Sequence, residues 1–203
     1  IHFLGGGTVG GVLHAQAETA AVRLSGGDFT LTGPVECRGP GQAGLAGGNL
    51  AGQSTLSGNF NWYHGSLGTP LVGISGSASL TVGTGSILNL LGDGDRDVYE
   101  ALTNAGTIRW LGGSVFIRGY YGWRGAVYNQ PSGLLDIQCD GLLGFSHYIG
   151  PAPLFDNAGR VRKSAGAGIS EVTVPFFNHG SLDVGSGAIR LTGAQVCDFA
   201  GLN

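Results

Sequence analysis

The sequence predicts an all-β protein wound as a solenoid, on three observations. Glycine supplies 41 of 203 residues while apolar residues reach 42%. That mixture suits short strands joined by tight turns, because each glycine inside a helix costs about 1 kcal/mol against alanine. Next, Leu154-Phe155-Asp156-Asn157-Ala158-Gly159-Arg160-Val161 and Phe176-Phe177-Asn178-His179-Gly180-Ser181-Leu182 are near copies, running apolar, Asn, any residue, Gly, polar, apolar. Finally, the anchoring asparagine recurs at Asn104, Asn129, Asn157 and Asn178, with spacings of 25, 28 and 21. A constant anchor at variable spacing describes similar coils that carry loops of different length on one side.

Composition closes off several classes. Collagen needs glycine at every third position with abundant proline, and a disordered linker lacks this much Leu, Val, Ile and Phe. A net charge of −3 leaves no basic footprint for nucleic acid. No apolar run of about 18 residues is present to cross a membrane as a helix. The chain starts at Ile1 and has no Met, which reads as a processed form or a fragment. Cys37, Cys139 and Cys197 are odd in number and have no metal-finger spacing. They read either as one disulfide with a free thiol or as three small buried residues.

The elements follow as a single solenoid domain over 1–203. Residues 1–53 are its less regular part. Val22, Leu24, Phe29 and Leu31 alternate with polar residues around Gly26-Gly27, as strand, turn, strand. The 34–53 stretch, with two prolines and many glycines, reads as a loop excursion or a loosely patterned coil. The Gly5–Gly11 run lacks a GK[ST] ending and a following helix, so it is a turn rather than a phosphate cradle. Clear repeats occupy 54–193, where Leu56, Phe60 and Trp62, then Leu80 and Val82, alternate inward. Residues 194–203 form a terminal strand or tail.

The coil phrase has a physical rationale. A coil bends sharply between flat strands, and a bend often needs a positive φ, which Gly enters freely and Asn better than most. Stacked coil on coil, equivalent asparagines form a ladder that satisfies polar groups at the bend. At 20–25 residues per turn the chain makes about 8–10 coils, a stack roughly 40–48 Å long at strand spacing. Neither end shows an amphipathic helix or charged cap, so the end coils present unpaired strand edges.

The phrases LSGNFNWYHGSLG, GSASLTVGTGSILNL, LTNAGTIRWLGGSV, FDNAGRVRKSAGAG and FFNHGSLDVGSGAIRLTG resemble the repeats of large bacterial extracellular β-solenoid surface proteins, of the autotransporter-passenger and filamentous-haemagglutinin-like class. The resemblance implies a right-handed single-chain parallel β-helix. It also implies an exported, extracellular or cell-surface protein used in adhesion, matrix or filament building. No catalytic residue carries over, since the matching positions are turn and core positions.

Local chemistry is sparse. Asp93, Asp95 and Asp97, followed by Glu100, supply alternate carboxylates in the manner of a calcium loop, but without its Gly or its twelve-residue span. A solvated acidic turn is the plainer reading, and no other cofactor is indicated. The insertion Arg118, Tyr120, Tyr121, Trp123 and Arg124 offers ring planes and guanidinium groups for a glycan or a subunit interface, or simply for packing. Asp136, Asp140 and Asp156 are the best candidates for the paired carboxylates of a glycosidase or lyase. The five histidines have no zinc spacing, and no Thr-x-Thr array suited to ice is present. The expected function is therefore non-enzymatic and structural, with self-association through the solenoid ends. A glycan-binding adhesin module is the alternative, and a polysaccharide lyase or glycosidase is a more distant one.

Overall fold

The computed structural model describes residues 1–69, 78–120, 123–147 and 151–197, with Tyr120 and His147 described by backbone only. Among these residues the regular structure is all strand, joined into one continuous sheet that winds as a β-solenoid of about eight turns. Each turn contributes three short strands, one to each face, and strands of successive turns pair in parallel. On the first face Ile87–Leu90, Thr107–Trp110, Leu134–Ile137, Arg160–Lys163 and Ser181–Val184 stack in register. The second face carries Arg96–Val98, Val115–Tyr120, Leu142–His147, Ile169–Val172 and Ala188–Leu191. The third carries Ser79–Val82, Ala101–Asn104, Ala126–Asn129, Leu154–Asn157, Phe176–Asn178 and Gln195–Cys197.

Alternation along each strand sends every second side chain into a common interior. Trp62, Leu90, Trp110 and Ile137 form one inward column, each in register with the next. Leu80, Leu102, Val127 and Phe155 form another, with Phe155 and Phe176 rings 4.9 Å apart. Each such side chain, when fully buried, contributes roughly 1.5–3 kcal/mol. The column is repetitive, so stability accumulates turn by turn.

The N-terminal stretch is more regular than its composition implies. Residues 1–53 wind into the same coils, and Gln42–Leu67 is one unbroken strand of 26 residues that turns successive corners. Glycine makes this possible in two ways. Gly48, with φ of +79°, takes a corner conformation that other residues avoid. At Gly44 a Cβ would stand 2.1 Å from the Asn61 carbonyl oxygen of the next turn.

The glycines of the Asn phrase serve the second purpose, contrary to the positive-φ expectation. Gly106, Gly133, Gly159 and Gly180 are not among the positive-φ glycines. A Cβ on Gly159 would lie 2.2 Å from the Gln130 carbonyl oxygen, and one on Gly180 would lie 2.0 Å from that of Gly159. They are glycines because backbone stacks on backbone there.

Candidate functional site

Three features carry polar chemistry: a ladder inside the third face, a corner between the first and second faces, and a ledge that extends the second face. The ladder is formed by Asn104, Asn129, Asn157 and Asn178, all buried and in register. Asn104 Nδ2 donates to Asn129 Oδ1 at 2.7 Å, Asn129 Nδ2 to Asn157 Oδ1 at 2.6 Å, and Asn157 Nδ2 to Asn178 Oδ1 at 2.6 Å. Each of the first three also donates to a carbonyl one turn on, at Leu134, Arg160 and Ser181. The ladder starts at Asn104 because Val82 occupies the preceding rung, leaving Asn104 Oδ1 without a partner. It ends at Asn178, in register with Cys197.

The corner holds two cations that the sequence reading did not place in the interior. Arg96 is fully buried, and its guanidinium donates to the carbonyl oxygens of Trp62, Leu91, Gly94 and Gly112. Burial lowers its pKa to about 10. Lys163, the chain's one lysine, is equally buried. Its Nζ donates to Asp140 Oδ1 at 2.7 Å, to Ser170 Oγ at 2.9 Å and to the Cys139 carbonyl at 2.9 Å. The Lys163 ammonium and the Gly168 N–H hold the Asp140 carboxyl below the usual carboxylate range. Ser170 and Lys163 have the atoms of a serine–lysine pair. However, Ser170 is fully buried and gives its hydroxyl proton to the Cys139 carbonyl at 2.7 Å. The pair acts as a staple between two turns.

Strand parity was the available signal for Arg96. With Asp95 exposed and Asp97 facing outward, the residue between them must point inward. Above the corner lies a groove of about 590 Å³, lined in part by Asp93, Leu111, Asp140, Ile169 and Glu171. The calcium candidates do not converge. Asp93 lies on this groove, Asp95 is exposed, and Asp97 accepts from Arg118 Nε at 2.6 Å. Among the described residues no three metal-ligating side chains meet.

The ledge is built by the predicted insertion around Arg118 together with Leu142–His147. Val115–Tyr120 pairs with Leu142–His147 through Gly119↔His147, then folds back on Trp123–Arg124 as an antiparallel hairpin. Arg118 is central: besides Asp97 it donates to Ser146 Oγ at 2.9 Å, and its guanidinium sits 4.6 Å from the Phe116 ring centroid. Phe145 is 40% exposed, Arg124 is exposed and Trp123 half-buried. Tyr121 and the Tyr120 side chain lie outside the described residues.

The carboxylates proposed for hydrolysis are distributed over different faces. Asp136 points outward on the first face, and Asp156 on the third. Asp136 is covered by a two-bonded ion pair with Arg162, at 3.1 and 2.7 Å. Burial raises its pKa, but the hydrogen bonds from Arg162, Ser164 and Gln138 prevail and hold it low. The three cysteines are free thiols, and burial pushes Cys37 up to about 12.

In the 181–197 coil, Leu182 and Val184 are in register with buried Val161 and Lys163, yet are 37% and 50% exposed. At the opposite end Phe3, in register with buried Leu24, is 46% exposed.

Comparison of the chain with protein-family models, with curated proteins and with solved structures gives no match. What the geometry defines is a class: a single-chain parallel β-solenoid with a polar ladder, stapled corners and a lateral ledge.

Proposed function

We propose that the chain is a non-enzymatic, extracellular structural protein that assembles through its solenoid ends into a filament or surface layer. The observation that carries this reading is the apolar exposure of both end coils, at Leu182 and Val184 on one side and Phe3 on the other. Those positions are inward ones, and a neighbouring coil would bury them as it buries Leu24, Val161 and Lys163 in the same columns. The strand edges beside them carry main-chain donors and acceptors ready to pair. Extracellular placement draws on the resemblance of the repeats to bacterial surface solenoids.

Analytical ultracentrifugation and electron microscopy of the purified chain test the reading. Concentration-dependent assemblies that lengthen along one axis are expected. A monodisperse monomer at all concentrations would end it.

A second reading has its own support. The ledge carries the Arg118–Phe116 stack on one face and, in register with Ile117 and Gly119, exposed Phe145 and Arg124 on the other. Such a ledge suits stacking on sugar rings, with Arg bonding hydroxyls or carboxylates. A glycan array should show retention that is lost in Phe145→Ala and Arg124→Ala. An array without signal would leave the ledge a packing device.

A further inference from the structure

Resting on the proposed assembly, we infer that its contact is head-to-tail and in register, the 1–14 coil of one copy continuing the columns of another copy's 181–197 coil. The outward column of the first face supplies the charge argument. It closes with Arg109, Asp136, Arg162 and Asp183, each in register with the next, so charge alternates rung by rung. Arg160 Nε pairs with Asp183 Oδ2 at 2.6 Å and leaves that carboxylate 44% exposed, so a hydrogen-bond donor rather than a second carboxylate suits the following rung. The same column opens at the other end of the stack with His2 and then Arg23, and runs through the uncharged Gly44, Asn61 and Asn89 to Arg109. Head-to-tail stacking sets the His2 imidazole, a hydrogen-bond donor, on the Asp183 carboxylate. Tail-to-tail stacking sets the Asp183 ends of two copies together, carboxylate against carboxylate.

The inward column agrees. Phe3 stands above Leu24 at the head, and Val184 below Lys163 at the tail, both about half exposed. In register they meet and bury one another. On the second face the tail presents Ile189 and Leu191, while the head presents the glycine run Gly5–Gly7, so bulk meets open space. Hydrogen bonding points the same way. Every turn-to-turn pairing among the described residues is parallel, and only head-to-tail contact continues a parallel ladder. A heterologous contact of this kind does not close on itself, so it yields an open fibre.

Disulfide trapping tests the register. In-register neighbours on adjacent strands sit about 4.8 Å apart, within the roughly 4.4–6.8 Å that a disulfide spans between Cα atoms. In a C37A/C139A/C197A background, the His2→Cys and Asp183→Cys variants are oxidised separately and mixed. A crosslinked dimer in the mixture, and none above background in either variant alone, is expected. If Asp183→Cys crosslinks to itself, or assemblies form without crosslinking in the mixture, the register is overturned while assembly stands. A monomeric parent chain overturns both. A charge swap provides a route that keeps the cysteines: Asp183→Lys should shorten the assemblies, and the double variant His2→Asp/Asp183→Lys should restore them. Unchanged length in Asp183→Lys would also count against the register.

Discussion

Asn129 donates its side-chain amide to Asn157 Oδ1 across 2.6 Å, although 28 residues separate the two in sequence. The bond is one rung of a buried ladder, and each middle amide, Asn129 and Asn157, serves both as donor to the next turn and as acceptor from the last. Replacing a middle rung therefore leaves two buried partners short. Asn129→Ala removes the acceptor of Asn104 and the donor to Asn157, and should cost about 2–4 kcal/mol in denaturant unfolding. Asn178→Ala removes one ladder bond only and should cost distinctly less. Equal costs at both positions would mean the ladder does not act as a chain.

The stapled corner makes an asymmetric prediction. Asp140→Ala leaves the Lys163 ammonium buried without its carboxylate, whereas Lys163→Met leaves a carboxylate that water can reach. Asp140→Ala should lower the thermal midpoint more than Lys163→Met, as read by circular dichroism. Asp140 is also held below the ordinary carboxylate value in the fold. Its contribution is thus fully present above the unfolded value of about 3.9 and is lost as pH falls through the lower folded one. In Lys163→Met the loss of stability below about pH 4 should become shallower.

Glu100 predicts the opposite sign. Burial raises its pKa to about 7, with the side chain packed close to Gly68. The fold therefore binds this proton more tightly than the unfolded chain does. Its stabilising effect is present below the ordinary glutamate value, near 4.3, and fades as pH rises toward 7. Glu100→Gln should remove that fade, raising stability at pH 8 relative to the parent while changing little at pH 4. Parallel melting curves for the two proteins at both pH values provide the check.

The stacking glycines should be intolerant of any side chain. Gly159→Ala puts a Cβ 2.2 Å from the Gln130 oxygen and 2.4 Å from that of Gly133. Relief requires the two turns to separate, at a cost of about 1–3 kcal/mol or more. Gly85, with open space around its Cβ position but a φ of +75°, should cost less, through backbone strain alone. Urea midpoints of the two alanine variants would rank them.

Much of the architecture was legible beforehand because it is written in local, repeated terms. Strand alternation marks inward positions such as Leu80 and Val82. The Asn phrase marks equivalent rungs through loops of unequal length, and the spacings of 25, 28 and 21 are the hydrogen-bonded ones. Less legible were the features that depend on which residue lies one turn away. Lys163 and Arg96 look like surface cations in sequence, yet both are interior because carbonyls and Asp140 from neighbouring turns satisfy them. Asp93, Asp95 and Asp97 alternate in sequence, and the bend at Gly92-Asp93 with the Arg118 pairing of Asp97 keeps them from converging.

By itself, the sequence determined that this chain is β, repetitive and coiled, since alternation and turn chemistry act over a few residues. Tertiary structure alone decided what each repeated position is for. The glycines two past Asn104, Asn157 and Asn178 are close-approach residues rather than bend formers, because the overlapping atom belongs to the previous turn. Likewise, an apolar residue at an inward position is core in one coil and exposed surface in another. Val161 and Leu182 share a column, and the difference between them is whether another coil lies on top.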